Sequence, residues 1–400
     1  MSTLRWAWRY LWARPLGAGL NVLLLSLGLG SMAFLLLVSS QLAKAFDRDL
    51  AGIDAVVGAK GSPMQLILSG VLHVDVPPGN VPLQAVRALE QHPLVAAIIP
   101  LSLGDSLQGF RIVGTSPAYV AHYEATYAQG RPWAAPMEVV LGATVARRLG
   151  LGLGARFVGS HGLGGSGHAH GDHAFTVVGI LQPSASVLDR LVLTDTASVW
   201  KVHEDSTAAD AEDRALLEEE REITMALVRY RSPLAALSFP RFVNTSTEMQ
   251  AAAPALEVTR LLSMLGLGTD VLRAFAGVLL LTAGLSVFIA LWSAVRERRA
   301  DLAVLRMLGA PPRRVATLLL CEALWLALVA SVVGLALGQG FAWALGVLLA
   351  LDNSLLIGGI PWPPSLALVP LLALGVSALA ALLPTWAAYR ISVLELLQSR

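Results

Sequence analysis

Four of the eight histidines, His161, His168, His170 and His173, fall in one short run, HGLGGSGHAHGDH, together with Asp172. Neutral imidazole and carboxylate suit Zn²⁺ and its borderline neighbours, and a glycine-rich segment can fold around an ion without a prebuilt cage. The run is therefore a candidate metal site with zinc as the expected ion, held weakly because its carrier is so glycine-rich. The competing reading is an insertion between two strands whose histidines face solvent. A second concentration of charge lies in residues 296–314, where Arg296, Arg298, Arg299, Arg306, Arg313 and Arg314 stand between two apolar segments. Leu302, Leu305 and Leu308 recur there at the spacing of one helical face, and Gly309, Pro311 and Pro312 supply a stop. A short amphipathic helix on the cytosolic face of a membrane follows, either as a contact surface or as an orientation signal. Glu322, about two helical turns into the next apolar segment, is a candidate functional carboxylate because such groups are costly in a membrane. Reaching the interface, or pairing with Arg314, is its simpler role.

Other chemistries are excluded by what the chain lacks. A phosphate-binding P-loop needs a lysine between Gly and Ser or Thr. Lys44, Lys60 and Lys201, the only lysines, each fail that test. Gly165-Ser166-Gly167 lacks the spacing of a nucleophile elbow, and no HExxH run occurs. No catalytic residue is expected, and nothing points to a nucleic acid. The one cysteine, Cys321, excludes an intramolecular disulfide.

The elements that would position these groups follow from composition. With 55% apolar and 14% charged residues in 400, and a mean hydropathy of +0.63, the chain reads as a membrane protein. Four uncharged stretches, Leu16 to Ser40, Ala274 to Val295, Ala323 to about Leu345 and Ser365 to about Ala388, are long enough to span a bilayer as helices; with their flanks the spans are expected at residues 16–40, 269–295, 315–349 and 365–388. Arg5, Arg9 and Arg14 before the first, the arginines of 296–314 and Arg390 and Arg400 at the end put both termini in the cytosol. Residues 1–15 read as an interfacial helix with Leu4, Trp8, Leu11 and Trp12 on one face, and 389–400 as a cytosolic tail. A cleaved signal peptide is the rival for the first span, but its uncharged run is far longer than such a core. Gly334 and Gly338 in the third span have the spacing that lets helix backbones approach closely. Residues 350–364 form an outer turn.

Residues 41–268 have the hydropathy of a soluble domain. Strands are expected at 53–57, 95–101, 110–113, 138–141, 175–181 and 224–230, and helices at 83–91, 144–149, 210–222 and from 255 into the second span. The fold class is thus an α-helical membrane protein with four transmembrane helices and a large α+β extracytoplasmic domain between the first two. The acidic run 203–222 reads as a solvated helix. Met64, Leu66, Leu68 and Leu72 read as core.

The order Asp301-Leu302-Ala303, Leu305-Arg306 and Gly309-Ala310 resembles the coupling loop of the FtsX-like permease family of ABC transporters, which includes macrolide-exporter and lipoprotein-release permeases, and Glu322 stands where that family often has a carboxylate early in the next helix. The run from Glu138 through Gly142, Gly150, Gly152 and Gly154 to Phe175 and Gly179 resembles that family's extracytoplasmic domain. The ending, from Pro384 through Arg390 to Leu397, is also similar, with Ser392 where proline is usual. The resemblance implies a separate cytosolic ABC ATPase that binds the ATP and docks on Arg298, Arg299, Asp301, Leu305, Arg306, Gly309 and Ala310. It implies a homodimer, or a pair with a related permease, in the bacterial inner membrane. ATP hydrolysis would move the outer domain, as a transporter or as a mechanical transducer that activates an envelope enzyme or releases lipoproteins. Gly58 to Leu66, with His73 and Asp75, resembles a subgroup associated with bacterial metal uptake.

Overall fold

The computed structural model describes residues 3–13, 15–161, 169–207, 220–297, 304, 307, 311–351 and 362–390. Among the described residues four helices are long and apolar enough to cross a membrane: TM1 (Pro15–Asp49), TM2 (Pro254–Glu297), TM3 (Pro312–Leu351) and TM4 (Leu368–Tyr389). Two of them overrun the expected spans. TM1 has 35 residues and TM2 has 44. At about 1.5 Å per residue both exceed the roughly 30 Å of a bilayer core. The hydrophobic limits of 40 and 269 therefore fall inside helices. TM1 continues through Gln-Leu-Ala-Lys-Ala-Phe, good helix formers without a breaker, and TM2 starts on Pro254, a residue suited to a first helical turn.

The chain divides into two compact units, the membrane helices and the domain Ala43–Ser263. In the membrane unit, Asn21 of TM1 accepts a hydrogen bond from Ser286 of TM2 at 2.7 Å. The helix Thr3–Trp12 packs by Ala7 and Leu11, which are buried, while Leu4 and Trp12 stay exposed. The apolar face expected from the sequence is thus only partly the packed one. Trp8 meets Trp325 of TM3 edge-on at 5.0 Å, and the Trp325 indole donates to the Leu4 carbonyl at 3.2 Å, so this helix is held to TM3 by a specific contact.

The domain is α+β. Its strands are β1 (Ala55–Ala59), β2 (Val81–Pro82), β3 (Val95–Leu107), β4 (Phe110–Thr115), β5 (Tyr127–Gly130), β6 (Glu138–Leu141), β7 (Arg156–His161), β8 (Ala169–Leu181), β9 (Val192–Asp195), β10 (Glu222–Ile223), β11 (Met225–Tyr230) and β12 (Met249–Ala252). Among the described residues the main sheet runs β12-β1-β11-β3-β4-β9-β6-β8-β5, with β7 pairing both β3 and β8. The strands β3, β4, β9, β6, β8 and β7 consequently close into a ring. A second lobe, β12-β1-β11 and the first half of β3, is an open antiparallel sheet covered by helices Leu83–Glu90 and Ala235–Ser246. β3 serves both lobes because its register shifts between Leu103 and Ser106, where β7 takes over an edge.

Each lobe has its own core. Val57, Leu89, Val228, Phe239 and Met249 centre one; Phe110, Ile112, Leu141, Phe175 and Val192 centre the other. Burying one such side chain is worth about 1.5–3 kcal/mol relative to leaving it exposed. Leu66 and Leu72 are buried, as core residues should be, on and after the helix Pro63–Gly70. Gly142 is obligatory where β6 turns into the helix Ala143–Leu149: a Cβ there would stand 2.1 Å from the Leu188 carbonyl oxygen. Most of the helix expected at 210–222 lies outside the described residues, and Glu222 belongs to β10.

Candidate functional site

The far end of TM1 enters a buried polar cluster. Asp49, the helix's last residue, is 4% exposed. Its Oδ1 accepts the Val187 N–H at 3.2 Å and lies 3.5 Å from the Arg48 Nε, while its backbone carbonyl accepts the Tyr123 hydroxyl at 2.9 Å. Burial pushes the Asp49 carboxyl above the usual range, opposed by the positive charges of Arg48 and Arg190 and by the Val187 N–H. One helix end is thereby tied to two separate segments, the helix Pro117–His122 with the Tyr123 that caps it, and the turn Val187–Arg190. That turn is itself fixed by Asp189, whose carboxylate accepts Ser184 N–H and Ala185 N–H at 2.9 and 2.8 Å.

Two arginines complete the cluster by donating to backbone carbonyls. Arg111 on β4 reaches the Ser69 oxygen at 3.1 Å and the Asp75 oxygen at 2.6 Å, and Arg190 reaches the Leu72 oxygen at 3.4 Å. Burial lowers the Arg111 pKa to about 10, still well above neutral pH. Together they clamp residues 69–75, and this explains the left-handed backbone of His73, with φ 55°. The His73 Nε2 lies 3.0 Å from the Tyr119 hydroxyl, and its Nδ1 is buried with no hydrogen-bond partner among the described residues. Burial, with Arg111 and Arg190 nearby, drives the His73 pKa well below its ordinary value, so the ring is neutral. Burial raises the Tyr119 phenol well above its own.

The hydrogen bonds of the cluster join Asp49, Arg111 and Arg190 to backbone groups of other segments, so it fastens those segments together. His73 and Asp75 were legible as features of the sequence. Asp49, Arg111, Tyr119 and Arg190 were not; the available signal was charge inside apolar runs, as in FRIVGT and VLDRLVL.

The sequence-predicted groups fall in three places. His170, Asp172 and His173 lie within β8, which starts six residues before the expected strand, and His161 ends β7 opposite Asp105 of β3. The expected loop is therefore in part a ladder, because Ser160 pairs with Ala169 of β8, while its hydroxyl donates to the Ser106 carbonyl of β3 at 3.3 Å. His168 and the side chains of His161, His170, Asp172 and His173 lie outside the described residues. Among those described, no group of three or more His, Cys, Asp or Glu side chains could hold an ion. Arg298, Arg299, Asp301, Leu305, Arg306, Gly309 and Ala310 also lie outside, between Glu297 at the end of TM2 and Pro312 at the start of TM3.

In the membrane unit, Glu322 is 8% exposed, in line with Leu319, Ala323 and Leu326, which pack against the other helices. Gly334 and Gly338 face TM1 across a backbone contact. A Cβ on Gly338 would stand 2.6 Å from the Ala33 Cβ and 2.9 Å from the Gly30 oxygen, and one on Gly334 2.8 Å from the Leu29 Cβ.

Comparison with protein families finds two matches. The family described as FtsX-like permease C-terminal matches residues 273–393, and the MacB-like periplasmic core domain matches residues 18–235. Comparison with curated proteins finds no match. Among solved structures, the periplasmic region of MacB from Actinobacillus actinomycetemcomitans is similar at 12% identity and a TM-score of 0.35, covering 53% of this chain and 95% of that one. The extracellular domain of the noncanonic ABC-type transporter YknZ from Gram-positive bacteria is similar at 11% identity and a TM-score of 0.31, covering 50% and 98%.

Proposed function

We propose that this chain, which belongs to the FtsX-like permeases with a MacB-like periplasmic core domain, couples ATP hydrolysis on a separate cytosolic ATPase to movement of its extracytoplasmic domain. It is an ABC permease or transducer of the inner membrane. The observation that carries the coupling is the continuity of TM1, one helix from Pro15 to Asp49 whose last residue is bound on two sides by segments of the domain. A displacement of that helix end has to be answered by the Val187–Arg190 turn and by Tyr123, since separating them would strand buried polar groups at roughly 1–3 kcal/mol each.

In this reading both termini and residues 296–314 are cytosolic, two chains work with two ATPase copies, and the chain itself hydrolyses nothing. Arg298, Arg299, Asp301, Leu305, Arg306, Gly309 and Ala310 form the docking surface. Four spans per chain leave little room for a wide conduit, which favours movement of the outer domain as the output. Activation of an envelope enzyme or release of lipoproteins uses the same movement. Metal handling is the more specific form of the proposal and rests on the sequence run from His161 to His173 and on the resemblance of Gly58 to Leu66, with His73 and Asp75, to a subgroup associated with metal uptake.

Co-purification of the ATPase with the tagged chain from native membranes tests the coupling. Arg306→Glu puts a carboxylate where a charge-assisted contact is expected and should sharply reduce recovery while the chain still inserts. Undiminished recovery with Arg306→Glu combined with Gly309→Pro would remove the docking surface from the proposal.

A further inference from the structure

The open-sheet lobe of the domain carries a groove of about 550 Å³. Its apolar walls include Val81, Ala85, Ala88, Leu89, Phe242 and Met249. Val81, Leu89 and Met249 are 3–4% exposed and belong to the lobe's core, so the groove opens onto the core itself. The helix Leu83–Glu90 buries Val86 and Leu89, and the two residues it gives to the groove beside Leu89 are alanines. Any larger residue at Ala85 or Ala88 would occupy the space. The His92 ring, just beyond that helix, lies on Phe242 with centroids 4.8 Å apart, so two of the lining residues hold one another.

The polar groups are few and differ in availability. Thr247 is committed, donating to the Val243 carbonyl at 2.7 Å and accepting the Met249 N–H at 3.1 Å. The His92 Nδ1 accepts the Leu94 N–H at 3.3 Å, so the neutral ring carries its proton on Nε2. Lys60 and Glu248 face one another at 3.5 Å, with side chains 52% and 101% exposed. A pair so exposed contributes little to stability, and both charges can turn to a ligand at small cost.

Apolar walls with a few polar groups at one edge are the usual form of a small-molecule site. A lone lysine would select an anion, a lone glutamate a cation. Adjacent opposite charges select a head that carries both. A peptide is disfavoured, because the edge strand beside the groove cannot extend its ladder: the Ala251 N–H and carbonyl are both taken by the Asn244 side chain, at 2.7 and 3.4 Å, and the Met249 N–H by Thr247. We propose that this groove binds a zwitterionic lipid-like amphiphile, with an anionic phosphate on Lys60, an ammonium on Glu248 and the hydrocarbon chain along Ala85, Ala88, Leu89 and Phe242. The inference goes beyond the permease reading and stands whichever movement the membrane helices drive.

The test uses the full chain held in amphipol, free of detergent, and calorimetric titration with lauroyl lysophosphatidylethanolamine below its micellar concentration. The lysolipid binds at least about tenfold more tightly than lauroyl lysophosphatidic acid, which lacks the ammonium, or dodecylamine, which lacks the phosphate. Ala88→Phe fills the groove and weakens binding at least about tenfold. Lys60→Glu and Glu248→Lys, both on exposed side chains, each weaken it several-fold, and they carry the test if Ala88→Phe fails to fold. Binding that ignores all three substitutions overturns the site. Equal affinity for the three amphiphiles overturns the head assignment. Tighter binding of the tripeptide Leu-Leu-Leu, a zwitterion without a lipid chain, overturns the choice of a lipid. None of these readouts involves the ATPase, so failure here is distinct from failure of the coupling proposal.

Discussion

Replacing Gly338 with alanine adds one methyl group where the backbones of TM1 and TM3 approach closely. The new Cβ would lie 2.6 Å from the Ala33 Cβ, 2.9 Å from the Gly30 oxygen and 3.0 Å from the Phe34 nitrogen. Carbon atoms pack best at about 3.5–4.0 Å, so the helices must separate by about 1 Å. Two of the three obstacles are backbone atoms, which no rotamer change can remove. Overpacking of this kind typically costs about 1–3 kcal/mol. Gly340, on the same helix, is the internal control, because a Cβ there meets nothing within 4 Å. Gly340→Ala should be neutral or stabilising by up to about 1 kcal/mol, the helix-propensity difference between the two residues. The measurement is unfolding of the full chain in mixed micelles as SDS is titrated. Gly338→Ala should unfold at a clearly lower SDS fraction than wild type, and Gly340→Ala at the same or a higher one. Coincident transitions for the two variants would show that the TM1–TM3 contact is not tight, and the packing account of Gly334 and Gly338 would fall with it.

Three other outcomes follow from the site and the topology. His73 stays neutral when folded, because burial and two arginines hold its pKa well below the unfolded value of 6.5. The unfolded chain therefore binds the extra proton, and stability should be complete above pH 6.5 and fall as pH drops below it, by at most about 1.4 kcal/mol per pH unit. Denaturation at pH 7.5, 6.5 and 5.5 checks this; His73→Asn, which tolerates the left-handed backbone, should flatten the slope, and an unchanged slope would exclude His73 as its source. In a Cys321→Ser background, a cysteine at position 166 should react with an impermeant thiol reagent from outside and one at position 310 only after permeabilisation; the reverse pattern inverts the topology. If the His161–His173 run binds Zn²⁺, the full chain should bind it more tightly at pH 7.5 than at pH 5.5, because imidazole must lose its proton to coordinate, and alanine at His161, His168, His170 and His173 should abolish the difference. Equal Zn²⁺ affinity in wild type and the quadruple variant would retire the His161–His173 run as a metal site and remove the main sequence argument for metal handling.

The parts of the fold legible in the sequence are those where one local property decides. Uninterrupted apolar runs announce the four spans, and Glu138–Leu141 reads as a strand because a short β-branched run is bounded by turn residues. Hydropathy could not give the ends of TM1 and TM2, since a helix stops where its backbone loses partners and not where its side chains become polar. The same holds for β3 and β8. Their extensions, through Ser102 to Leu107 and from Ala169 to Ala174, are polar or glycine-containing, and they persist because β7 pairs with both. The pairing of β3 with β7 joins residues more than 50 apart in sequence, out of reach of any periodicity.

The cluster around Asp49 was hidden for a related reason. A charged residue is ordinarily read as surface, and in FRIVGT the arginine looks like the solvent-facing member of an alternating strand. It is buried because carbonyls of residues 69 and 75 converge on it, and that convergence depends on the Pro63–Gly70 helix and on the turn at His73. The positive charge is tolerable only while those carbonyls stay in place, and the left-handed His73 backbone only while the arginines hold it. Each half of the arrangement is thus the condition for the other. A change on either side, whether loss of Arg111 or displacement of Asp49 with the helix that carries it, should therefore be felt across the whole cluster and not at one bond.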